Sequence, residues 1–490
     1  MHHLESEIDR EQITMIALEE MVSENSFARL VDLFVEALPM EELGFTNVQH
    51  EKEGRPPYHP KVLLKLYMYG YRHGLRSSGK LHKACLVNVE LWWLLKGLKP
   101  SQRTICYFRK NNSKAFRAAF RHFVLMLKDW NLIDGETIAI DSFKIRAQNS
   151  LKNNFNQRKI DRHVEYIETK INEYHAALEL AENENTRTEI EQKIQHQLKK
   201  KEVYKSIEKE LNENGVAQIS RTDTDARAVV LHRNIVNVGY NVQAGCDSKH
   251  KLFINAQTGN VNDTNALADM AIEAKELLSL EHMNTLTDKG YTTAEEMARC
   301  ALNNITTYSS PKESSAGKND LFNLAIFRYN TLEDSYTCPA DKTLTSNGNQ
   351  YTKGKTKVMH YKTKECKGCT LRTQCTNAKN GRVIERGIHQ KFIEENKKRV
   401  EQNPDYYRLR QQVTEHQFGT IKRQWGFTYT LMKGKENVLS EVNLIMMCYN
   451  LRRLMSILDK NDLKRRLKDL ILDFLTQFDA NRLFLRLLCY

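Results

Sequence analysis

Three acidic residues stand far apart in the sequence, each in a setting that could hold a divalent cation. Asp141 and Asp288 each follow a short apolar run, so we expect each to end a β-strand. Glu415 lies in a segment with a helical pattern, seven residues after Arg408 and seven before Lys422. That spacing predicts that these three residues lie along one face of a helix. Ligands collect at the carboxyl ends of strands in an open α/β sheet, where the two aspartates would lie.

Three carboxylates that met in space would favour phosphodiester chemistry. Mg²⁺ prefers carboxylate oxygen, and two such cations about 3.5–4 Å apart activate an attacking water or hydroxyl and stabilise the leaving oxygen. The alternative for each acid is ordinary, because an Asp after a strand is usually a turn residue and the helix of Glu415 could be a salt-bridged surface helix. Asp225, Asp247 and Asp263 are rival acids that we expect to be turn, cap or supporting residues.

Four of the ten cysteines cluster in a basic segment. Cys366 and Cys369 form a Cys-x2-Cys pair, and Cys338 and Cys375 flank it. Four thiolates in this pattern predict a structural Zn²⁺ site without an open position for catalysis. The alternative is four free cysteines in a loop, because only one such pair is present. Lysines are frequent around the cluster, which favours contact with a DNA backbone.

The composition narrows the class of protein. The chain has 490 residues, which favours about two to four domains, and its formal net charge is +13. No apolar run is long enough to span a bilayer, and the N-terminus shows no apolar core of a secretory signal. A basic chain of this kind favours a polyanionic partner such as nucleic acid.

The first 130 residues have helical patterns. We expect helices over 11–43, 60–72 and 77–96, and a further helix from 101 past residue 120. The segment 100–110 has the size and basic face of a recognition helix, and its candidate DNA contacts are Arg103 and Arg109. A plain helical bundle with a basic exterior is the alternative.

Strand and helix patterns alternate after residue 134, which predicts an α/β protein with a mixed sheet flanked by helices. Residues 157–213 interrupt this order with apolar residues at heptad-like spacing, typical of an antiparallel helical hairpin. Residues 311–400 are rich in Lys, Thr, Asn and Gly, so we expect loops there. From residue 405 the pattern is helical again.

The three acidic blocks together resemble the catalytic blocks of bacterial insertion-sequence DDE transposases. They read Ile-Asp141-Ser-Phe-Lys-Ile-Arg-Ala, Thr-Asp288-Lys-Gly-Tyr and Thr-Glu415-His-Gln-Phe-Gly-Thr-Ile-Lys. Further blocks at 54–60, 221–225, 239–243 and 449–451 occur in the same order, so that the resemblance covers about residues 54–458. The closest group is the cysteine-bearing branch of the insertion-sequence-four-like superfamily.

This resemblance implies an RNase H-like core that cleaves DNA at element ends and joins the freed 3′-OH to target DNA. It implies catalytic and Mg²⁺-binding (or Mn²⁺-binding) roles for Asp141, Asp288 and Glu415. Lys422 matches the lysine of the superfamily's Tyr-Arg-Glu-Lys signature, whereas Tyr407 and Arg410 lie one residue further from the glutamate than that signature has them.

The expected partner is double-stranded DNA at element ends and target, bound by a homodimer in the bacterial cytoplasm, associated with the nucleoid. A nuclease without strand transfer and a transposase-derived DNA-binding protein are the alternatives. The expected DNA contacts are Lys422, Arg423, Arg408, Arg410, Arg103 and Arg109. The expected segments are a helical DNA-binding region (1–130), the first part of the core (131–310), the cysteine-rich insertion (311–400), the second part of the core (401–458) and C-terminal helices (459–490).

Overall fold

The computed structural model describes residues 15–49, 56–232, 235–259, 261–311, 321–354 and 356–472. Its N-terminal part is helical, as predicted. The helix predicted over 60–72 is confirmed. The six helices in this part are α1 (Phe27–Glu36), α2 (Pro60–Arg72), α3 (Ser78–Val87), α4 (Val89–Leu94), α5 (Gln102–Asn111) and α6 (Ser113–Asp129).

Polar caps decide where these helices begin. The side chains of Ser77 and Ser101 accept hydrogen bonds from backbone N–H groups in the first turns of α3 and α5. Asn88 separates α3 from α4, and Asn112 separates α5 from α6. The predictions of one helix over 77–96 and of one helix from 101 past residue 120 are therefore wrong in extent. Each of these segments forms two shorter helices. Of the helix predicted over 11–43, residues 11–14 lie outside the described residues, and α1 is the helical part within 15–49.

A six-stranded mixed sheet forms the centre of the molecule, which confirms the α/β prediction. Its strands are ordered β4-β5-β1-β7-β8, and β6 also pairs with β5. β1 is antiparallel to β5 and parallel to β7, which is parallel to β8. The bounds are β1 (Thr137–Arg146), β4 (Arg227–His232), β5 (Ile235–Asp247), β6 (Phe253–Thr258), β7 (Met283–Thr287) and β8 (Ile305–Ser309).

The predicted helical hairpin lies between β1 and β4 in the chain. It consists of α7 (Gln157–Glu179) and α8 (Glu184–Glu213), and Asn183 caps the second helix. A two-stranded ribbon closes its base, formed by β2 (Asn154–Phe155) and β3 (Ile219–Ser220). A small separate core holds the ribbon and the helix ends together.

Helices cover the sheet and join it to the N-terminal part. They are α9 (Leu267–Leu277), α10 (Ala294–Leu302), α12 (Gln390–Gln402), α13 (Pro404–Gly419) and α14 (Lys435–Ile457). α14 is buried along most of its length and packs against α2, α6 and β6. Tyr71 of α2 donates a hydrogen bond to Glu441 of α14 at 2.9 Å. The N-terminal helices therefore share one continuous core with the sheet.

The segment predicted to be loops over 311–400 forms a second sheet in the described residues. Its five antiparallel strands are ordered β13-β12-β11-β10-β9. Its own core is largely aromatic, with Phe327, Tyr336 and Tyr361 packed on Leu344 and Ile384. The strands are β9 (Arg328–Asn330), β10 (Ser335–Thr337), β11 (Thr343–Lys353), β12 (Thr356–Lys362) and β13 (Ile384–Gly387), with the short helix α11 (Arg372–Cys375) between the last two.

The cysteine-rich insertion ends earlier than predicted. Asn396 of α12 is fully buried and exchanges hydrogen bonds with the backbone of Ser309 at the end of β8. α12 therefore belongs to the packing of the central sheet. Beyond α14, residues 460–472 are helical, and the rest of the predicted C-terminal helices lies outside the described residues. No helix in the described part is both long and apolar enough to cross a membrane.

Candidate active site and cysteine cluster

Asp141 and Asp288 lie at adjacent positions in the central sheet. Ile140 of β1 pairs with Thr287 of β7 in parallel register, so each acid directly follows one member of the same pair. Asp288 comes after the end of β7, as predicted. The prediction that Asp141 ends its strand is wrong, because β1 continues to Arg146 through antiparallel pairing with β5. Only the pairing of β1 with β7 ends there, because its last paired residue on β1 is Ile140.

Asp141 is a partly buried carboxylate with three donors. Its Oδ2 accepts hydrogen bonds from Arg410 Nη1 and Thr414 Oγ1, both at 3.2 Å, and its Oδ1 accepts one from Ser142 N at 2.7 Å. Desolvation by burial raises the pKa of Asp141, and the charge of Asp288 acts in the same direction. Arg410 supplies the opposite charge.

The helix α13 lies across β1 and β7 and is fixed there by three of its side chains. Tyr406 shares a hydrogen bond with Thr137 of β1 at 2.6 Å, and Tyr407 donates to the carbonyl of Thr287 at 3.2 Å. Arg410 adds its contact with Asp141 one turn further on. Tyr407 and Arg410 therefore both reach the acid-bearing end of the sheet.

Glu415 lies on the same helix but on another side of it. Thr414 is fully buried against Asp141, whereas Glu415 is exposed. Consecutive helical residues differ by about 100° around the axis, which turns Glu415 away from the face that touches Asp141. Among the described residues, no three His, Cys, Asp or Glu side chains form a group that could hold a metal ion. The structure thus brings two acids of the predicted triad together and leaves the third apart.

A polar network that starts on β5 supports the Asp288 turn. Tyr291 donates a hydrogen bond to the side-chain oxygen of Gln243, and Gln243 and Asn241 both donate to Asp263 Oδ1 at 2.8 Å. A Cβ added at Gly290 would come within 3.4 Å of Asp263. Burial raises the pKa of Tyr291, as do the charges of Asp263 and Asp141. Asp263 therefore lies beside the Asp288 turn.

The other two rival acids bind backbone. Asp225 accepts a hydrogen bond from the N–H of Lys435, the first residue of α14, at 2.8 Å. Asp247 accepts bonds from the N–H groups of Gly135 and Lys249 at 3.0 Å. Burial and the nearby charge of Asp134 raise the pKa of Asp247 to about 7.

The predicted face of Arg408, Glu415 and Lys422 is interrupted. The α-helix ends at Gly419, and the next turn, Thr420–Gln424, is a π-helix, which changes the direction of Lys422. Desolvation lowers the pKa of Lys422, and the charges of Lys144 and Arg423 act in the same direction. Lys144 of β1, Lys422 and Arg423 therefore form a basic cluster.

The remaining predicted DNA contacts differ in exposure. Arg408 and Arg103 are exposed, and Arg408 is paired with Asp405 at 2.9 Å. Arg109 was expected on the basic face of a recognition helix, and this is wrong. It is 6% exposed, donates to Tyr71 and lies 3.6 Å from Glu441. Its guanidinium compensates a buried carboxylate and is closed to DNA.

The four clustered cysteines line one small cavity of about 30 Å³. Cys338 Sγ accepts a hydrogen bond from Lys342 N at 3.4 Å, and the cavity is also lined by Arg372 and Arg382. Desolvation raises the pKa of Cys375, and the other three thiols act in the same direction. The nine described cysteines are all unpaired. The thiols share a cavity, although they do not form a metal-binding group as placed.

The fold and the site define a class: a mixed α/β protein with paired aspartates on adjacent strands beneath the helix α13. Residues 16–111 match a family described as transposase domain (DUF772), and residues 337–455 match a family described as transposase DDE domain. Both matches are to transposase families, and they support an insertion-sequence DDE transposase. The second match includes the cysteines and Glu415, whereas Asp141 and Asp288 lie between the two matches. No match was found among curated proteins or solved structures.

Proposed function

We propose that this transposase cleaves DNA at the ends of its element and joins the freed 3′-OH to target DNA, with Asp141, Asp288 and Glu415 as its catalytic acids. The observation that carries this is the register of β1 and β7, which puts the two aspartates side by side. The helix that bears Glu415 lies directly across them. The two aspartates come from segments about 150 residues apart, and their carboxylates repel each other when both are charged. A bound cation would relieve this repulsion, which favours a metal-binding role for the pair.

The central sheet would be the RNase H-like core that the sequence resemblance implies. Three antiparallel strands, β6, β5 and β1, continue into two parallel strands, β7 and β8. The first acid lies on the central strand of this arrangement and the second follows its parallel neighbour. The helical hairpin and the cysteine-rich sheet would then be insertions into that core.

The three acids fit a hard divalent cation, Mg²⁺ or Mn²⁺, by the chemistry of their donors. Asp288 Oδ1 accepts a bond from Lys289 N at 2.6 Å, which leaves its other oxygen open. Glu415 is exposed and has a long side chain that can turn toward the aspartates. The bound ions would activate the attacking hydroxyl and stabilise the leaving oxygen. Lys422, Arg423 and Lys144 would hold the phosphates of the same strand.

Arg410 would compete with a divalent cation for the carboxylate of Asp141. When the cation is bound, the Arg410 side chain would contact a DNA phosphate instead. Arg410→Gln should therefore tighten Mn²⁺ binding to the DNA-free protein by about tenfold, which corresponds to about 1.4 kcal/mol, because a competing cation is removed from the carboxylate. The same change should weaken DNA cleavage. Titration calorimetry and the Mn²⁺ paramagnetic resonance signal measure the binding directly.

Arg408→Gln is the matched control for this experiment. It removes a guanidinium from the same helix, but that group is exposed and paired with Asp405. Its Mn²⁺ affinity should equal that of the wild type. An Arg410→Gln protein with unchanged Mn²⁺ affinity would show that the ion pair with Asp141 does not compete with the metal.

The N-terminal helices would bind the element ends, with exposed Arg103 among the contacts, and a homodimer would assemble on DNA. Purified protein is incubated with Mg²⁺ and a plasmid that carries the terminal repeats flanking the reading frame. Cleaved ends together with joined products are expected. Cleavage without joining would favour the nuclease, and specific binding without cleavage would favour a transposase-derived DNA-binding protein.

The cysteine cavity would hold a structural Zn²⁺ ion. All four thiols line one cavity, and Zn²⁺ binding would have to bring them to a common centre. Desolvation raises the pKa of Cys375, while the nearby charge of Arg382 favours the thiolate form that would bind zinc. Lys342 N donates a hydrogen bond to Cys338 Sγ at 3.4 Å.

A further inference from the structure

A basic groove of about 360 Å³ lies on the flank of α13 that faces α2 and α14. It is built from three parts of the chain: the end of α2, the C-terminal half of α14, and the segment that follows Glu415. Six of its lining residues carry the argument: Arg72, Arg452, Arg453, His416, Trp425 and Tyr449. His416 directly follows Glu415 and points about 200° away from Thr414 around the helix axis, so the groove lies on a different side of α13 from the contact with Asp141, with Glu415 between the two.

The positive charge in this groove is uncompensated. No carboxylate is among its lining residues, and none of its three arginines forms an ion pair with another described residue. Arg72 Nε is buried and has no hydrogen-bond partner among the described groups. Arg452 is close enough to Arg72 to act on it unfavourably by charge repulsion. Like charges held together in a partly buried groove are stabilised by a bound anion.

The groove is also rigid enough to be a site. The Arg72 guanidinium lies 5.2 Å from the centre of the Trp425 ring, and that ring packs against Tyr449. His416 Nδ1 shares a hydrogen bond with the Tyr449 hydroxyl at 3.1 Å. Arg453 Nε donates to the carbonyl of His250 at 3.2 Å, which fixes its position. Stacking and hydrogen bonds thus hold the guanidinium groups of Arg72 and Arg453 in place.

We propose that this groove binds a backbone phosphate of the DNA strand held at the active site, with Arg72 and Arg452 as its main ligands. This rests on the proposed function. Guanidinium groups bind phosphate through paired hydrogen bonds, which fits the free donors of Arg72. Trp425 and Tyr449 are each 3% exposed, so they present no free ring face on which a base could stack. The expected ligand is therefore the phosphate and not the base.

The test measures DNA affinity as a function of salt for the double variant Arg72→Gln/Arg452→Gln. Each lost phosphate contact should reduce the slope of log K against log salt by about 0.9. We expect a slope lower by about one and an affinity about tenfold weaker at low salt. The double variant Arg158→Gln/Arg187→Gln is the control, because it removes the same charge from exposed positions on the helical hairpin.

Two further measurements keep the result interpretable. Thermal unfolding monitored by circular dichroism shows whether the groove variant is folded, and Arg72→Lys/Arg452→Lys should restore part of the affinity but less than arginine does. Inorganic phosphate should bind the wild type only weakly. Strong binding of inorganic phosphate, with DNA affinity unchanged in the double variant, would assign the groove to free phosphate and overturn the proposal.

The experiments can reject the groove proposal and the proposed function independently of each other. A groove variant that binds DNA with the affinity and salt slope of the hairpin control, while still cleaving element ends, would overturn the groove and leave the transposition chemistry intact. A wild type that binds DNA without cleaving it, and loses affinity in the groove variant, would retain the groove and overturn the catalytic proposal.

Discussion

Asp141→Asn or Asp288→Asn should reduce cleavage of element-end DNA by about a thousandfold or more, while DNA binding stays close to that of the wild type. The amide keeps the volume of the carboxylate but removes the charge that binds a hard cation. Metal ions contribute several kcal/mol of charge stabilisation in such reactions, and each 1.4 kcal/mol or so is a factor of about ten in rate. Single-turnover cleavage of a labelled end fragment measures the loss.

Asp269→Asn is a suitable control for these variants. Asp269 is exposed on α9 and paired with Arg299, away from the acidic end of the sheet. Its cleavage rate should be that of the wild type. Near-normal activity in either the Asp141 or the Asp288 variant would exclude that residue from the catalytic set.

The variant Glu415→Gln tests whether Glu415 is the third catalytic acid. We expect the same loss as for the aspartates, because the exposed carboxylate would turn toward them when the cation and DNA are bound. Asp263 is the alternative candidate for the third acid, because it lies beside the Asp288 turn. Its Oδ1 accepts hydrogen bonds from Asn241 and Gln243. An inactive Asp263→Asn together with an active Glu415→Gln would transfer the role to Asp263.

The elements that hold the aspartates could be predicted because their signals are local. Apolar runs before Asp141 and Asp288 predicted the strands, and the heptad-like spacing over 157–213 predicted the helical hairpin. The extension of β1 beyond Asp141 was missed, because it depends on antiparallel pairing with β5, about a hundred residues away. The hydrophobic pattern of a short segment does not show which distant strand it pairs with.

Burial of charged residues was the other property that sequence patterns did not predict. Arg109 has the spacing of an exposed basic face, yet it compensates Glu441 more than 300 residues away. Arg410 likewise binds Asp141 across 269 residues. The cysteine-rich sheet was missed for a related reason: its strands are polar, and its core comes from a few aromatic residues instead of a continuous apolar pattern.

Cys366→Ser should release the single zinc ion that we expect in the purified wild type. A structural Zn²⁺ held by four thiolates loses its tetrahedral set when one ligand is removed, so elemental analysis should fall from about one equivalent to almost none. Limited proteolysis should then cut around residues 363–382, where three of the four cysteines lie, because metal binding supplies folding free energy to such a segment. The aromatic core of the five-stranded sheet should protect the strands themselves.

Cys106→Ser controls for the loss of a thiol, since Cys106 is exposed on α5 and is not in the cluster. It should keep its zinc and its resistance to protease. Transposition should fall in the Cys366 variant alone, because the insertion leads directly into α12 and α13, which position Arg410 and Glu415. Freshly prepared, reduced wild-type protein without zinc would refute the metal site, and the cavity would then be four ordinary thiols packed between basic side chains.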